Sequence, residues 1–307
     1  MSKRIAKRLH SGDTHSEGTH IIKFKFSDLL MMFILVLLCA TCIIPFLHLL
    51  SKSVSSSSAV LARSVYLWPK GFNLDAYKSV FKDGQLTHSM MYSVVVTVVF
   101  TLLGLIATVF AAFPLSRKRL KGRAFFTLII MFTMYFSAGL IPDYLRLNEL
   151  NLLNKTLVLI LPLIFAPYNF LIMKTFFQSS IPESLEESAY LDGATNSQFL
   201  WKIVIPLSKP ILATTALFLA VGRWNSYQDS KFYITTKSKQ MIQYLLYQMV
   251  LASGDTSVSM NEATAAATTP EVLQAASVMF VTLPIICIYP FVQKYFVKGV
   301  MVGAVKG

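Results

Sequence analysis

Apolar positions in this chain fall in long uninterrupted runs, not at the spacing of a one-sided helix or a half-buried strand. Leu29 to Leu50, Ser89 to Phe113, Ala124 to Ile141, Thr156 to Met173 and Val272 to Val292 contain no Asp, Glu, Lys or Arg. At about 1.5 Å per residue, such runs are long enough for a hydrocarbon layer about 30 Å thick. A shorter run, Pro210 to Gly222, is bounded by Lys209 and Arg223. Those two side chains can reach opposite interfaces, so a fifth crossing is expected there. The pattern predicts an all-α polytopic membrane protein with six transmembrane helices. Pro162 and Pro167 should bend the fourth span, and Pro284 and Pro290 lie in the last. The basic flank before Leu29 resembles a signal peptide. The apolar stretch is too long, starts too late and lacks a small-x-small site after it, so a retained first span is expected.

Charge gives these spans a direction. The net charge is +13, and six Lys or Arg lie in the first 25 residues. Five more crowd between Pro114 and Arg123, and Lys294, Lys298 and Lys306 follow the last span. With six crossings these three groups share one face, which the positive-inside rule makes cytoplasmic, so both termini are expected there. Basic residues beside apolar spans meet anionic lipid headgroups, and nucleic acid is not an expected partner. Residues 1–28 read as a basic cytoplasmic tail in which Ile21 to Phe26 alternates apolar and basic positions, as an interfacial anchor does. Residues 29–307 are the six-span domain. The other face carries loops at Ser51–His88, Pro142–Lys155 and Trp224–Glu271. Within the last, Ser253 to Pro270 is mostly Ser, Thr, Ala and Gly and is expected to be mobile.

Composition excludes most other classes. Hydrophobic residues make up 54% of the 307 positions and charged residues 14%, against about 25% charged in soluble domains. A soluble α/β enzyme does not fit. Cys39, Cys42 and Cys287 sit in apolar runs and read as small membrane residues. His10, His15 and His20 lie in a polar tail where weak metal binding and plain disorder are both open, the second favoured. The sequence has no G-x-x-x-x-G-K-[ST] phosphate loop, so ATP chemistry would need another chain. An intramembrane enzyme or ion-driven carrier wants ionisable groups inside its spans, and His48, near an end, is the only candidate.

One loop on the basic face departs from this pattern. Pro182 suits the start of a helix, and Glu183, Glu186 and Glu187 follow where they complement the helix dipole. Gly193 is placed to end that helix in a left-handed conformation. Thr195 and Gln198 have capping-box spacing for a second helix. The segment therefore reads as helix, glycine elbow, helix. Leu185, Ala189 and Asp192 share one face; Phe199, Ile203 and Pro206 share another. Residue types alone leave two readings open, a solvated acidic face or a short helix pair shaped for a partner's groove. No nucleophile, metal set or second histidine stands nearby to make the carboxylates catalytic.

The stretch Glu187-Ser188-Ala189-x-x-Asp192-Gly193-Ala194, followed by Phe199, Ile203, Pro206 and Pro210, closely resembles the EAA loop of ABC-importer permeases. Ser188 replaces the usual first Ala. Pro69 to Tyr77, Trp224-Asn225, and Gln293 to Gly299 with Val305 to Gly307 are similar to the carbohydrate-uptake permeases of the MalG and LplC type. The resemblance implies the type I ABC-importer permease fold with a cytoplasmic coupling-helix elbow spanning 183–210. It also implies a bacterial inner-membrane location, a second homologous permease subunit, two ATPase subunits that bind ATP and Mg, and an extracytoplasmic binding protein delivering sugar. This chain itself would hold no cofactor, metal or catalytic residue. In that scheme Glu187, Ser188, Ala189, Asp192, Gly193, Ala194, Phe199, Ile203 and Pro206 couple to the ATPase. The alternative is the same architecture importing a non-sugar solute such as amino acids or phosphate.

A sugar presents C–H patches and hydroxyls together, so aromatic faces beside amides are the expected contacts. Tyr135, Tyr168, Asn169, Trp224, Asn225 and Tyr227 are candidates. Interfacial aromatics or helix-packing residues are the competing reading for each.

Overall fold

A computed structural model of the chain describes residues 26–82, 84–254 and 269–304. Residues 1–25 of the basic tail, with its three histidines, and most of the expected mobile stretch at 253–270 lie outside the described residues, while Phe26 to Asp28 belong to the first helix. The chain divides into two units, residues 1–47 and residues 48–307.

The first helix, α1 (Phe26–Ser53), begins in the first unit and ends in the second. Its large apolar side chains from Leu29 to Leu47 are exposed, as a helix surrounded by lipid tails requires.

The second unit is built on α4 (Gly84–Ser116). The short α2 (Ser57–Leu61) and α3 (Asp75–Lys82) precede it. Along α4, Ser89, Ser93, Thr97, Phe100, Gly104, Thr108, Ala112 and Ser116 are buried, every three or four residues, which places them on one stripe. Most are small, which lets neighbouring backbones approach closely. At Gly104 a Cβ would lie 3.0 Å from the Ile164 carbonyl oxygen. Three apolar clusters follow one another along this helix. The first gathers Leu86 and Met90 with Trp224, Ile242 and Phe280. The second holds Val96 and Phe100 with Leu159, Leu219 and Met241. The third holds Val109, Ala112 and Leu115 with Phe170, Phe177 and Phe199.

The remaining spans differ from the sequence expectation in informative ways. The run Ala124–Ile141 is not one helix. It forms α5 (Arg123–Tyr135), stops at Phe136, and resumes as α6 (Leu140–Glu149) at 113° to it. Gly139, with φ of +91°, stands at the start of α6, a conformation that residues with a side chain rarely adopt. The run Thr156–Met173 is likewise broken. Thr156–Leu159 is a 3₁₀ turn, Pro162 lies in irregular chain, and α7 (Pro167–Ser180) starts at the second proline. Pro167 therefore opens a helix and does not bend one, because the first helical position needs no N–H donor.

The elbow forms α8 (Glu183–Leu191) and α9 (Asn196–Phe199). A π-helical turn, Leu200–Val204, then leads into α10 (Ile205–Leu207). The chain bends by 81° at Ser208 into α11 (Lys209–Asn225). Arg223, near the end of this helix, is buried among protein groups, at 2% exposure. Much of the stretch expected to be a loop after Trp224 is helical, as α12 (Gln228–Tyr233) and α13 (Ile242–Gly254). The last helix, α14 (Pro270–Ala304), contains both Pro284 and Pro290. Among the described residues three helices, α1, α4 and the first part of α14, are individually long and apolar enough to cross a bilayer, and counting each bent pair as one span brings the number to five.

Candidate functional site

The elbow is fixed locally by its own sequence. Gly193 has φ of +80° and closes α8. Its N–H donates to the Tyr190 carbonyl at 3.0 Å, and the Ala194 N–H donates to the Ala189 carbonyl at 2.9 Å. This paired arrangement satisfies the last carbonyls of a helix. The Gln198 N–H donates to Thr195 Oγ1 at 3.3 Å, and the Thr195 N–H donates to Gln198 Oε1 at 2.9 Å, completing the expected capping box. Pro182 stands one position earlier than expected, as the residue capping α8, and Glu183 opens the helix.

The elbow has two unlike sides. Ala189 and Phe199 are buried against α4 and α7 in the third cluster, with Leu185, Ala194 and Ile203 packed around them. Phe199 is fully buried, with its ring 6.2 Å from Phe113 and 6.1 Å from Tyr190. Glu187, Ser188, Asp192, Gly193 and Pro206 are exposed, and Leu191 is 89% exposed. The nine residues expected to couple to a partner thus divide. Four hold the elbow to the bundle, and five face outward.

Three side chains of the basic loop pin the elbow, a role the sequence did not disclose. Arg117 is buried and donates to Glu186 Oε2 at 3.3 Å, to the Phe177 carbonyl at 3.0 Å, and to Ser116 Oγ at 3.0 Å. Its guanidinium lies 5.6 Å from the centre of the Phe113 ring. One arginine therefore links α4, the end of α7 and α8. Lys118 pairs with Glu183 at 2.7 Å on the exposed side. Arg119 donates to Asn196 Oδ1 at 2.7 Å and lies 4.8 Å over the Tyr190 ring, whose hydroxyl also donates to Asn196. Spacing from Arg117 to Glu186 could not be read in sequence, because the pair is 69 residues apart. These contacts also order the spans. The ends of α4 and α7 and the starts of α5 and α11 lie at the same face as the elbow.

At the end of α11, beside the middle of α4, a second arginine makes a comparable set of contacts. Arg223 donates to Asp229 Oδ2 at 2.7 Å and to the Leu159 carbonyl at 2.9 Å, and lies 5.7 Å from the Phe100 ring. Ser226 Oγ donates to the same carboxylate at 2.9 Å. Beyond it, the hydrogen bond between Lys231 and the Tyr247 hydroxyl holds the lysine's pKa above its ordinary value. Burial, and then the carboxylates of Asp143 and Asp229, push the Tyr233 phenol up.

The residues expected to meet sugar are not gathered in one place. Asn169 and Trp224 are buried, Trp224 in the first cluster. Tyr227 stacks on Tyr247 with ring centres 4.7 Å apart. Tyr168 and Asn225 are exposed. Tyr135, 80% exposed, stands at one end of a cleft of about 550 Å³ between α5 and α7. Among the described residues, no cluster of His, Cys, Asp or Glu is arranged to hold a metal ion.

A helical bundle with a two-sided elbow held on its basic face fits a transport permease, and the comparisons show that family. Residues 101–302 match the family described as "Binding-protein-dependent transport system inner membrane component", and the chain belongs to that family. The EAA motif and the coupling helix are features of that family. The chain is 40% identical to Protein LplC of Bacillus subtilis (strain 168), over 87% of this chain and 90% of that one. It is 38% identical to the polygalacturonan/rhamnogalacturonan transport system permease protein YtcP of the same organism, over 93% of this chain and all of that one. A chain in the crystal structure of a bacterial ABC transporter involved in the import of the acidic polysaccharide alginate superposes with a TM-score of 0.83. The two share 32% identity, covering 89% of this chain and 99% of that one. The fold expected from the EAA resemblance is therefore borne out.

Proposed function

We propose that this chain is one of two permease subunits of an ATP-driven, binding-protein-dependent importer of a saccharide. The observation that carries the reading is the elbow, whose inner side is locked to the bundle while its outer side is exposed. A lever between an ATPase and a pore needs both properties. Partner ATPase chains bind ATP and Mg and dock on Glu187, Ser188, Leu191, Asp192 and Gly193. Ala189, Ala194, Phe199 and Ile203 pass the movement to α4 and α7, with Arg117 and Glu186 as the tie. The relatives named as saccharide permeases favour a sugar cargo over amino acids or phosphate. In this reading the elbow and the basic loop face the cytoplasm, in keeping with the positive charge there. Six crossings bring both termini to that side, and α7 is the crossing that completes the number. The machine alternates between states that nucleotide and loaded binding protein bias differently.

Reconstitution tests this. The chain, its partner permease, the ATPase subunits and the binding protein are placed in proteoliposomes and supplied with labelled oligosaccharides. Uptake that requires both ATP and binding protein is the expected result. ATP-dependent uptake of amino acids or phosphate with none of any saccharide would overturn the cargo assignment. ATP hydrolysis by the isolated chain would overturn the division of labour.

A further inference from the structure

The cleft between α5 and α7 has a polarity that nothing described so far explains. Arg123, Thr127, Met131 and Tyr135 recur every four residues and so form one stripe along the whole of α5. The twelve residue steps from Arg123 to Tyr135 carry that stripe about 18 Å along the helix axis. Lys174 and Gln178, one turn apart on α7, complete the polar lining. The cleft contains two cations and no carboxylate. Lys174 Nζ donates to Thr127 Oγ1 at 3.1 Å, and that hydroxyl donates on to the Arg123 carbonyl at 2.7 Å. Neither Lys174 nor Arg123 forms an ion pair among the described residues. The carboxylates beneath the cleft are committed elsewhere, Glu183 to Lys118 and Glu186 to Arg117. A smaller cavity of about 260 Å³ shares Arg123 and Gln178 with the cleft and continues between the basic loop and the elbow. Charged groups inside membrane spans are costly and mark the paths of ions and substrates. Lys174 stands mid-helix in α7, with an amine satisfied only by a neutral hydroxyl.

We propose that the α5–α7 cleft lines the translocation path and that Lys174, with Arg123 below it, selects saccharides bearing carboxylates. The inference rests on the permease reading above and deepens it by naming the cargo as uronate-containing oligosaccharide. Tyr135 offers an exposed ring to the C–H face of a sugar at one end of the stripe. Gln178 offers an amide partner, and the two cations meet the carboxylates. The alternative is a lysine that merely extends along its helix to the nearer interface.

The test uses the complete complex in proteoliposomes, with trigalacturonate and its methyl ester as paired probes. Each is supplied at saturating concentration, and uptake is expressed relative to ATP hydrolysed. In Lys174→Gln, uptake of the acid should fall by about tenfold, the factor for one charge contact, while the ester changes less than twofold. Lys174→Arg should restore the acid. Arg123→Gln, at the first turn of α5, should shift the ratio in the same direction by less, and it decides the matter if Lys174→Gln fails to assemble. Equal loss of both probes, or loss of neither, overturns the proposal while leaving the permease reading intact. So does wild-type transport of neutral saccharides with no uptake of acid. Failure of wild type to move any saccharide sinks the underlying function instead.

Discussion

Two buried arginines stand at opposite ends of the same helix-packing system, and each is built from the same four kinds of contact. Arg117 holds a carboxylate, a main-chain carbonyl, a side-chain partner and the face of a phenylalanine of α4. Arg223 holds Asp229, the Leu159 carbonyl, the Met241 sulfur and the face of Phe100, also of α4. They differ in tightness. The outer pair closes to 2.7 Å, with the arginine side chain 1% exposed; the elbow pair spans 3.3 Å, with its arginine at 9%. The elbow pair is also flanked by exposed contacts, Lys118 to Glu183 and Arg119 to Asn196, of a kind that contributes little individually. The outer clamp fixes α12 and the 156–159 turn to α11. The inner clamp ties α8 to the ends of α4 and α7. From the shorter ion pair we expect the Arg223 end to be the rigid one and the elbow the compliant one.

Breaking the rigid end should cost most. Arg223→Leu removes the cation and leaves Asp229 largely buried with only Ser226 as its partner. A loss of roughly 3–5 kcal/mol is expected for half of a buried pair, seen as a fall in detergent melting temperature and in the yield of assembled complex. An unchanged melt would place the clamp among contacts of no structural weight. Glu186→Ala at the compliant end should cost less, roughly 1–3 kcal/mol, because Arg117 keeps its carbonyl and hydroxyl partners. Its larger effect should be functional, with ATP hydrolysis kept and saccharide moved per ATP reduced. Hydrolysis and uptake falling in proportion would mean that the tie carries no coupling.

The smallest effect belongs to Gly193. A Cβ there meets nothing within 4 Å, so substitution costs only backbone strain at φ of +80°. Gly193→Val should lose about 1–2 kcal/mol. Gly193→Asn should recover most of that, since asparagine tolerates the left-handed region. If Asn and Val are equally damaging, contact with the partner and not strain governs this position.

The same comparison shows what was legible in sequence. The elbow could be read because its signals are local. A proline, three glutamates, a glycine and a Thr–Gln box lie within seventeen residues, and each acts on its own turn of chain. The clamps could not, since Arg117 finds Glu186 69 residues away and Arg223 looked like the edge of a short span. Runs of apolar residues located the membrane segments but not their breaks. Ala124–Ile141 carries no charge to mark the stop at Phe136. In the fourth run, hydropathy ended the span at Met173 because Lys174 follows. The helix instead runs on to Ser180 and takes that lysine inside. A rule that ends a span at a charge therefore misplaces the end of this helix by seven residues.

The account turns on the outer face of the elbow being the place where an ATPase docks, and cross-linking reads that contact directly. Cys39, Cys42 and Cys287 are first replaced by Ser, since all three thiols are free and exposed. Leu191→Cys, at the most exposed apolar position of the elbow, is then treated with a short bifunctional thiol reagent in the complete complex. The reagent should join it to a single cysteine introduced in the ATPase groove, with a yield that changes when ATP is added. Tyr168→Cys, exposed at the start of α7, serves as the control and should give no such product. No link from Leu191→Cys at any ATPase position, in a complex that still transports, would contradict the assignment of the elbow.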